Sequence, residues 1–289
     1  MNRKEFLIQA GLVSAGLMAA PYLTKAVTSK KVGLQLYSLR DQLPKDPKGV
    51  IAKIATAGYS QVETFGYSKD AGFWGLDAKA FSTLLKSHGL TTPSGHYGME
   101  QYFTNGNTAD LKTYIDAAHA TGQTYIICPH LGDEFRKTPA DLKKIASNLN
   151  NIGKLFKSEG LELGYHNHNF EFLKVGDTTL YDVILKETDP NLVYLEMDIY
   201  WVVSAGHDPV ELLNAHPGRY KLVHIKDMEK LDHTRNTEIG TGLIDFKKII
   251  PAAKKAGIQY YILEQENYRN IDPFVSITKS AAYIKTNLL

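Results

Sequence analysis

The sequence predicts an α/β protein, a single (β/α)8 TIM barrel preceded by an export signal, and three observations lead there. After residue 30, short β-branched or apolar runs alternate with longer helical patterns, the arrangement of strands joined by crossover helices in a parallel sheet. The 289-residue length sits near the ~250 residues of one such barrel. The first 26 residues differ in character from everything after them.

Segment 1–26 opens on Asn2-Arg3-Lys4-Glu5-Phe6-Leu7, continues through an apolar, small-residue run from Ala10 to Ala20, and ends on Thr24-Lys25-Ala26. A basic start, an apolar stretch and small residues at a cleavage point describe a signal peptide. Arg-Lys-x-Phe-Leu resembles a twin-arginine export signal with Lys for the second Arg. The apolar run is shorter than the ~20 residues that span a bilayer. The expectation is therefore a barrel domain over 27–289, exported to the periplasm and without membrane attachment after processing.

Eight units follow in order. The strand candidates are 32–37, 60–65, 90–96, 123–129, 161–168, 192–198, 220–226 and 259–265. The helical patterns after them are 46–57, 77–88, 108–120, 139–159, 179–187, 208–215, 245–256 and 272–287. Gly58, Gly89, Gly122, Gly160 and Gly257 punctuate helix ends, where a left-handed residue closes the last turn. Eight strands with eight helices close a barrel. An open doubly wound sheet would carry a Gly-rich phosphate turn after its first strand, and this chain has Tyr37-Ser38-Leu39-Arg40 there.

Composition narrows the function. The whole chain has 33 basic and 31 acidic residues, and 27–289 carries 30 of each once Arg3, Lys4, Lys25 and Glu5 are set aside. That balance lacks the basic footprint that phosphate-backbone binding needs, so no nucleic-acid partner is expected. Cys128 is the single cysteine and lies in the apolar run Tyr125-Ile126-Ile127-Cys128, which reads as core and excludes an internal disulfide.

Barrel strands alternate interior and helix-facing residues. That period points Gly164, His166 and His168 inward from strand five, and Tyr194, Glu196 and Asp198 from strand six. It points His224 and Lys226 inward from strand seven, and Ile262, Glu264 and Glu266 from strand eight. Gln35, Tyr37, Glu63, His96 and His130 add to the same C-terminal rim, where TIM-barrel active sites are built. Charged side chains are rarely buried unpaired, and a single inward His or Glu is explained by packing. Four adjacent strands each ending in one are not. Imidazoles and carboxylates without a thiolate suit one divalent ion, Mn²⁺, Co²⁺, Zn²⁺, Mg²⁺ or Fe²⁺. Such an ion also removes the repulsion between inward carboxylates. No nucleophile elbow, Walker motif or dinucleotide glycine pattern is present.

Five stretches carry a resemblance: Gly33-Leu34-Gln35-Leu36-Tyr37-Ser38, Glu196-Met197-Asp198, Val223-His224-Ile225-Lys226-Asp227, the run from Gly240 to Phe246, and Leu263-Glu264-Gln265-Glu266. With these the chain resembles the sugar isomerase/epimerase superfamily of xylose-isomerase-like TIM barrels. The likeness covers roughly 30–289. It implies one divalent ion held by Glu, Asp, His and Glu from strands five to eight. Asp198, His224 and Glu264 match the last three positions. The family's Glu-Asn-His is here His166-Asn167-His168, with Glu171 nearby. The fourth ligand is then His166, or Glu171 folding back over the strand end.

The lost glutamate counts against symmetrical two-base epimerisation and favours one-base chemistry beside a ketone, such as elimination or hydration. The resemblance makes Glu264 ligand and base together, with Glu266 one layer nearer the rim as the alternative. Lys226 and His96 would stabilise an oxyanion or donate to a leaving hydroxyl, with Glu171 a further catalytic candidate. Gln35, Glu63 and His130 would position hydroxyls, and Tyr37 and His168 would join them in binding the substrate. Trp74 and Trp201, with Phe73, Tyr97 and Tyr102 in the βα loops, would stack on a sugar, the one small-molecule partner expected. Export and the lack of an arginine cluster favour an unphosphorylated sugar or keto-glycoside. Two rival readings are a periplasmic sugar-binding module without turnover and an apurinic endonuclease. The first leaves Asp198, His224 and Glu264 without a purpose, and the second requires a basic DNA face.

Overall fold

Local chemistry sets the helix boundaries. Asp46, Asp77, Thr138, Thr179, Asp208 and Asp272 each accept a main-chain N–H of the helix that follows, which satisfies donors that no helical carbonyl reaches. Gly122 and Gly257 close their helices at φ 79° and 96°, a conformation that costs most other residues free energy. The computed structural model describes residues 31–289, so the expected export signal lies outside the described residues.

Eight parallel strands form the closed barrel expected from the pattern. They are β1 (Gly33–Gln35), β2 (Gln61–Thr64), β3 (Thr91–His96), β4 (Tyr125–Cys128), β5 (Glu162–His166), β6 (Val193–Asp198), β7 (Tyr220–Ile225) and β8 (Tyr260–Leu263). Gly33 opposite Ile262 and Leu34 opposite Leu263 join β1 to β8 and close the ring. The helices between them are α1 (Pro47–Thr56), α2 (Ala78–Ser87), α3 (Glu100–Asn105), α4 (Ala109–Thr121), α5 (Pro139–Ser158), α6 (Leu180–Glu187), α7 (Ile199–Ser204), α8 (Pro209–Ala215), α9 (Phe246–Ala256) and α10 (Pro273–Asn287). Among the described residues no helix is long and apolar enough to cross a membrane.

Two helices escaped the sequence reading. α3 and α7 are six residues each, too short for an apolar period to show. α7 begins at a ligand candidate, because the Asp198 side chain accepts the Trp201 N–H at its first turn. The expected strand over 32–37 stops at Gln35, whose side chain accepts the Tyr37 N–H at 3.0 Å and starts a 3₁₀ turn over Leu36–Leu39.

The core has two layers. Between strands and helices runs the main apolar shell, with Leu34, Val62, Ile126, Leu163, Leu195, Val223 and Leu263 from the strands. Inside the barrel, Tyr125, Ile127, Leu222 and Ile262 form a separate plug, covered by Tyr194 and Tyr260. The plug fills the lower barrel, so the polar inward residues collect above it, at the strand C-termini.

Candidate active site

Four buried histidines and carboxylates meet above the plug. One donor atom each from His166, Asp198, His224 and Glu264 lies within 4.8 Å of the other three. Two ligand bonds of ~2.0–2.3 Å put donors at most ~4.6 Å apart across one ion, so small rotations bring this set around a common point.

The hydrogen bonds behind the set select the ring nitrogens that face it. His166 Nδ1 lies 3.0 Å from Glu196 Oε2. His224 Nε2 lies 2.7 Å from Glu63 Oε1 and 3.3 Å from Glu196 Oε2. Ionised carboxylates only accept, so these nitrogens carry the hydrogens, which leaves His166 Nε2 and His224 Nδ1 to act as ligands. A carboxylate behind each ligating imidazole is the usual support of a metal site. Burial drives the His166 pKa well below its ordinary value, keeping that ring neutral. Burial also opposes charge on His224, but Glu196 and Glu63 outweigh it and raise its pKa. The same negative field attracts a divalent cation.

Asp198 supplies the direct test of fit. Its Oδ2 is buried without a hydrogen-bond partner, 3.9 Å from His166 Nε2 and 3.7 Å from Lys226 Nζ. Burial raises its pKa to about 7, Lys226 pulling the other way and Glu264 adding to the rise. A buried carboxylate oxygen left bare is costly, and an ion bound there removes the cost. His96, His166, Glu196 and His224 also bring donors within 4.8 Å. Those groups already bind one another, with His96 Nε2 2.7 Å from Glu196 Oε2, so protons fill the place of an ion. The His166, Asp198, His224, Glu264 set fits the metal better.

A cavity of about 410 Å³ opens onto it, lined by His166 and Glu264 together with Tyr37, Phe65, His96, His130, His168, Trp201 and Glu266. Aromatic faces with a few convergent polar groups suit a small polar ligand. Burial lowers the His168 pKa to about 3, so that ring presents a neutral face. Burial opposes charge on His96, yet Glu63 and Glu196 raise its pKa to about 9, so it enters as an imidazolium.

Several expected site residues stand elsewhere. Glu171 does not fold back over the strand end: its oxygens accept the Tyr165 hydroxyl at 2.9 Å and the His168 N–H at 2.8 Å. His166 is the residue whose ring nitrogen lies within 4.8 Å of donor atoms of Asp198, His224 and Glu264. Gln35 and Glu63 do not reach the cavity. Gln35 Nε2 donates to Glu63 Oε1 at 2.6 Å, and Ser94 donates to Glu63 Oε2 at 2.5 Å, so both residues brace the histidines. Lys226 is fully buried behind the wall, 3.1 Å from Glu264 Oε2 and 2.6 Å from Glu266 Oε1. Trp74 packs on Phe65, ring centroids 5.2 Å apart, and Phe65 is the residue that lines the cavity. Tyr97 is buried with its hydroxyl on Gln123.

Glu196 and Phe65 were given no role from sequence. Both share the inward phase of assigned neighbours, Asp198 and Glu63, two residues away, so the period of two held the signal. Ser94 carried none, since an inward serine on a strand is common.

With this geometry in place, the chain belongs to the xylose isomerase-like TIM barrel family, whose model matches residues 51–287. It is an enzyme of the sugar isomerase/epimerase-like type. An inosose dehydratase of Geobacillus thermodenitrificans is 26% identical over 270 residues, 81% of this chain and 87% of the relative. One of Clostridium perfringens is 31% identical over 206 residues, covering 64% and 68%. A crystal structure of a sugar phosphate isomerase/epimerase from Parabacteroides distasonis superposes with a TM-score of 0.81 at 30% identity, over 93% of this chain and 98% of that one.

Proposed function

We propose that this protein is a divalent-metal-dependent lyase or isomerase that removes a proton beside the carbonyl of an unphosphorylated sugar or keto-glycoside. The bare, buried Asp198 Oδ2 within the His166, Asp198, His224 and Glu264 set carries the reading. When bound, the ion would polarise the substrate carbonyl and stabilise negative charge as it develops. The chain's own groups do the rest. Phe65, Trp201 and His168 offer flat faces to a sugar ring, and Tyr37 closes the rim at 39% exposure. The His96 imidazolium faces the cavity and donates to an oxyanion or a departing hydroxyl. A carboxylate at the end of β8 accepts the proton.

Histidine at position 166 favours the one-base reaction, because the β5 carboxylate of a two-base design is missing. The dehydratase name of the two relatives agrees with elimination. The cavity charges support an unphosphorylated substrate: Glu264 and Glu266 are acidic lining residues, and His96 is the cation among them, with no Lys or Arg in the lining. Export by a leader over 1–26 belongs to the same proposal.

The test is incubation of the metal-loaded protein with a panel of keto-sugars and keto-glycosides in D₂O. Deuterium appearing beside the carbonyl of one of them, and lost with Asp198→Ala, is the expected result. No exchange with any sugar in the presence of Mn²⁺, Co²⁺, Zn²⁺, Mg²⁺ or Fe²⁺ would sink it.

A further inference from the structure

We propose that Glu266, rather than Glu264, is the carboxylate that carries the substrate proton, and that Lys226 holds it in position. The assignment rests on the metal-dependent reading above. It begins from a comparison of the acidic groups at the barrel mouth. Glu63 and Glu196 are fully buried and bonded to histidines. Asp198 and Glu264 belong to the ligand set. Glu266 stands outside that set, lines the cavity and leaves 30% of its side chain exposed.

Ligation and base work compete. A lone pair given to a divalent ion is not free for a proton, and the ion's charge disfavours protonation of its ligands. Glu264 carries a second load, since its Oε2 accepts from Lys226 Nζ at 3.1 Å. Glu266 keeps an oxygen on the substrate side.

Three elements fix Glu266. Its Oε1 lies 2.6 Å from Lys226 Nζ at the end of β7. Its N–H donates to Asn236 Oδ1 at 2.8 Å. Its carbonyl accepts from the Arg40 guanidinium at 3.2 Å. A side chain held this way meets a bound substrate without reorganising, which proton transfer rewards. Lys226 sits 5.3 Å from the Trp201 ring centroid and also contacts Glu264, so its charge stays balanced when Glu266 becomes neutral.

The step is a plain proton transfer. The C–H bond beside the carbonyl breaks, its proton goes to a Glu266 oxygen, and its electron pair enters the enolate. Glu266 exchanges that proton with solvent and returns one to carbon, which restores the carboxylate.

Glu266→Gln and Glu264→Gln, both near-isosteric, separate the duties. Each is assayed for metal stoichiometry, melting temperature and deuterium exchange of a sugar that the wild type exchanges. Glu266→Gln is expected to keep its metal and melting temperature while exchange falls by ~10²–10⁴-fold, the usual share of a general base. Glu266→Asp, which keeps a carboxylate, should retain measurable exchange. Glu264→Gln should instead lose metal affinity, with exchange partly restored at high metal concentration. Wild-type exchange in Glu266→Gln overturns the assignment, and so does loss of metal together with exchange in that variant. A wild type that exchanges no sugar at all defeats the metal-dependent reading itself and this assignment with it.

Discussion

Asn167 holds the main chain of Asp198 from both sides: its Oδ1 accepts the Asp198 N–H at 3.2 Å and its Nδ2 lies 3.4 Å from the Asp198 carbonyl oxygen. Backbone pairing between β5 and β6 ends one residue earlier, at His166 opposite Glu196. The amide therefore continues the ladder where the two ligand-bearing strands would otherwise part. Asn167→Ala should weaken metal binding by ~10–100-fold, the usual cost of losing support behind a ligand. Competition with a chelator measures this, and unchanged affinity would reduce Asn167 to packing.

The metal itself is the subject of the second prediction. Asp198→Ala and His224→Ala should lose stoichiometric metal in elemental analysis. Chelation of the wild type should lower its melting temperature, because an ion that binds only the folded state stabilises by ~2.7 kcal/mol at a hundredfold excess over Kd. His166→Gln should recover part of its activity at high metal concentration. A melting temperature indifferent to chelator and metal would argue against the site.

Glu171 gives a pH-dependent prediction. Burial raises its pKa from an ordinary 4.5 to about 7, against the hydrogen bonds from Tyr165 and the main chain that pull it down. A carboxyl with a raised folded pKa contributes stability that is complete below its unfolded pKa and lost as pH rises through the folded one. For Glu171 that window runs from 4.5 to about 7. Glutamine can accept the His168 N–H and donate to the Tyr165 hydroxyl without charge. Glu171→Gln should therefore match the wild type near pH ~5 and exceed it near pH ~8, by on the order of 3 kcal/mol at most. Denaturant unfolding at the two pH values checks it, and a difference independent of pH would refute it.

Processing is tested by mass. The mature protein from its native host should lack residues 1–26, and intact-mass measurement shows this directly. A soluble cytoplasmic protein that begins at Met1 would remove export, and with it one support for an unphosphorylated substrate.

Much of the site was legible because strand geometry is simple. A period of two places His166, Asp198, His224 and Glu264 on the inner wall, and the ring closure of eight strands brings them together. The same period failed to assign roles one step further back. Gln35 and Glu63 have the inward phase, yet Glu63 is bonded to His224 and Gln35 to Glu63, and neither lines the cavity. Trp74 lies in a loop, where no period applies, and Phe65 stands in front of it.

By itself the sequence determined the architecture, the helix ends and the set of candidate ligands, because caps, glycines and alternation act over a few residues. Tertiary structure alone sets His166, and not Glu171, beside Asp198, His224 and Glu264. That choice depended on the Tyr165 hydroxyl, which faces outward and captures the Glu171 carboxylate at 2.9 Å. It also decided that Lys226 is a buried counter-ion and Glu266 the carboxylate exposed in the cavity. Both have the inward phase just past the ends of neighbouring strands, and only their depth in the closed barrel separates them. Depth depends on how eight strands tilt and stagger together, which no local pattern encodes.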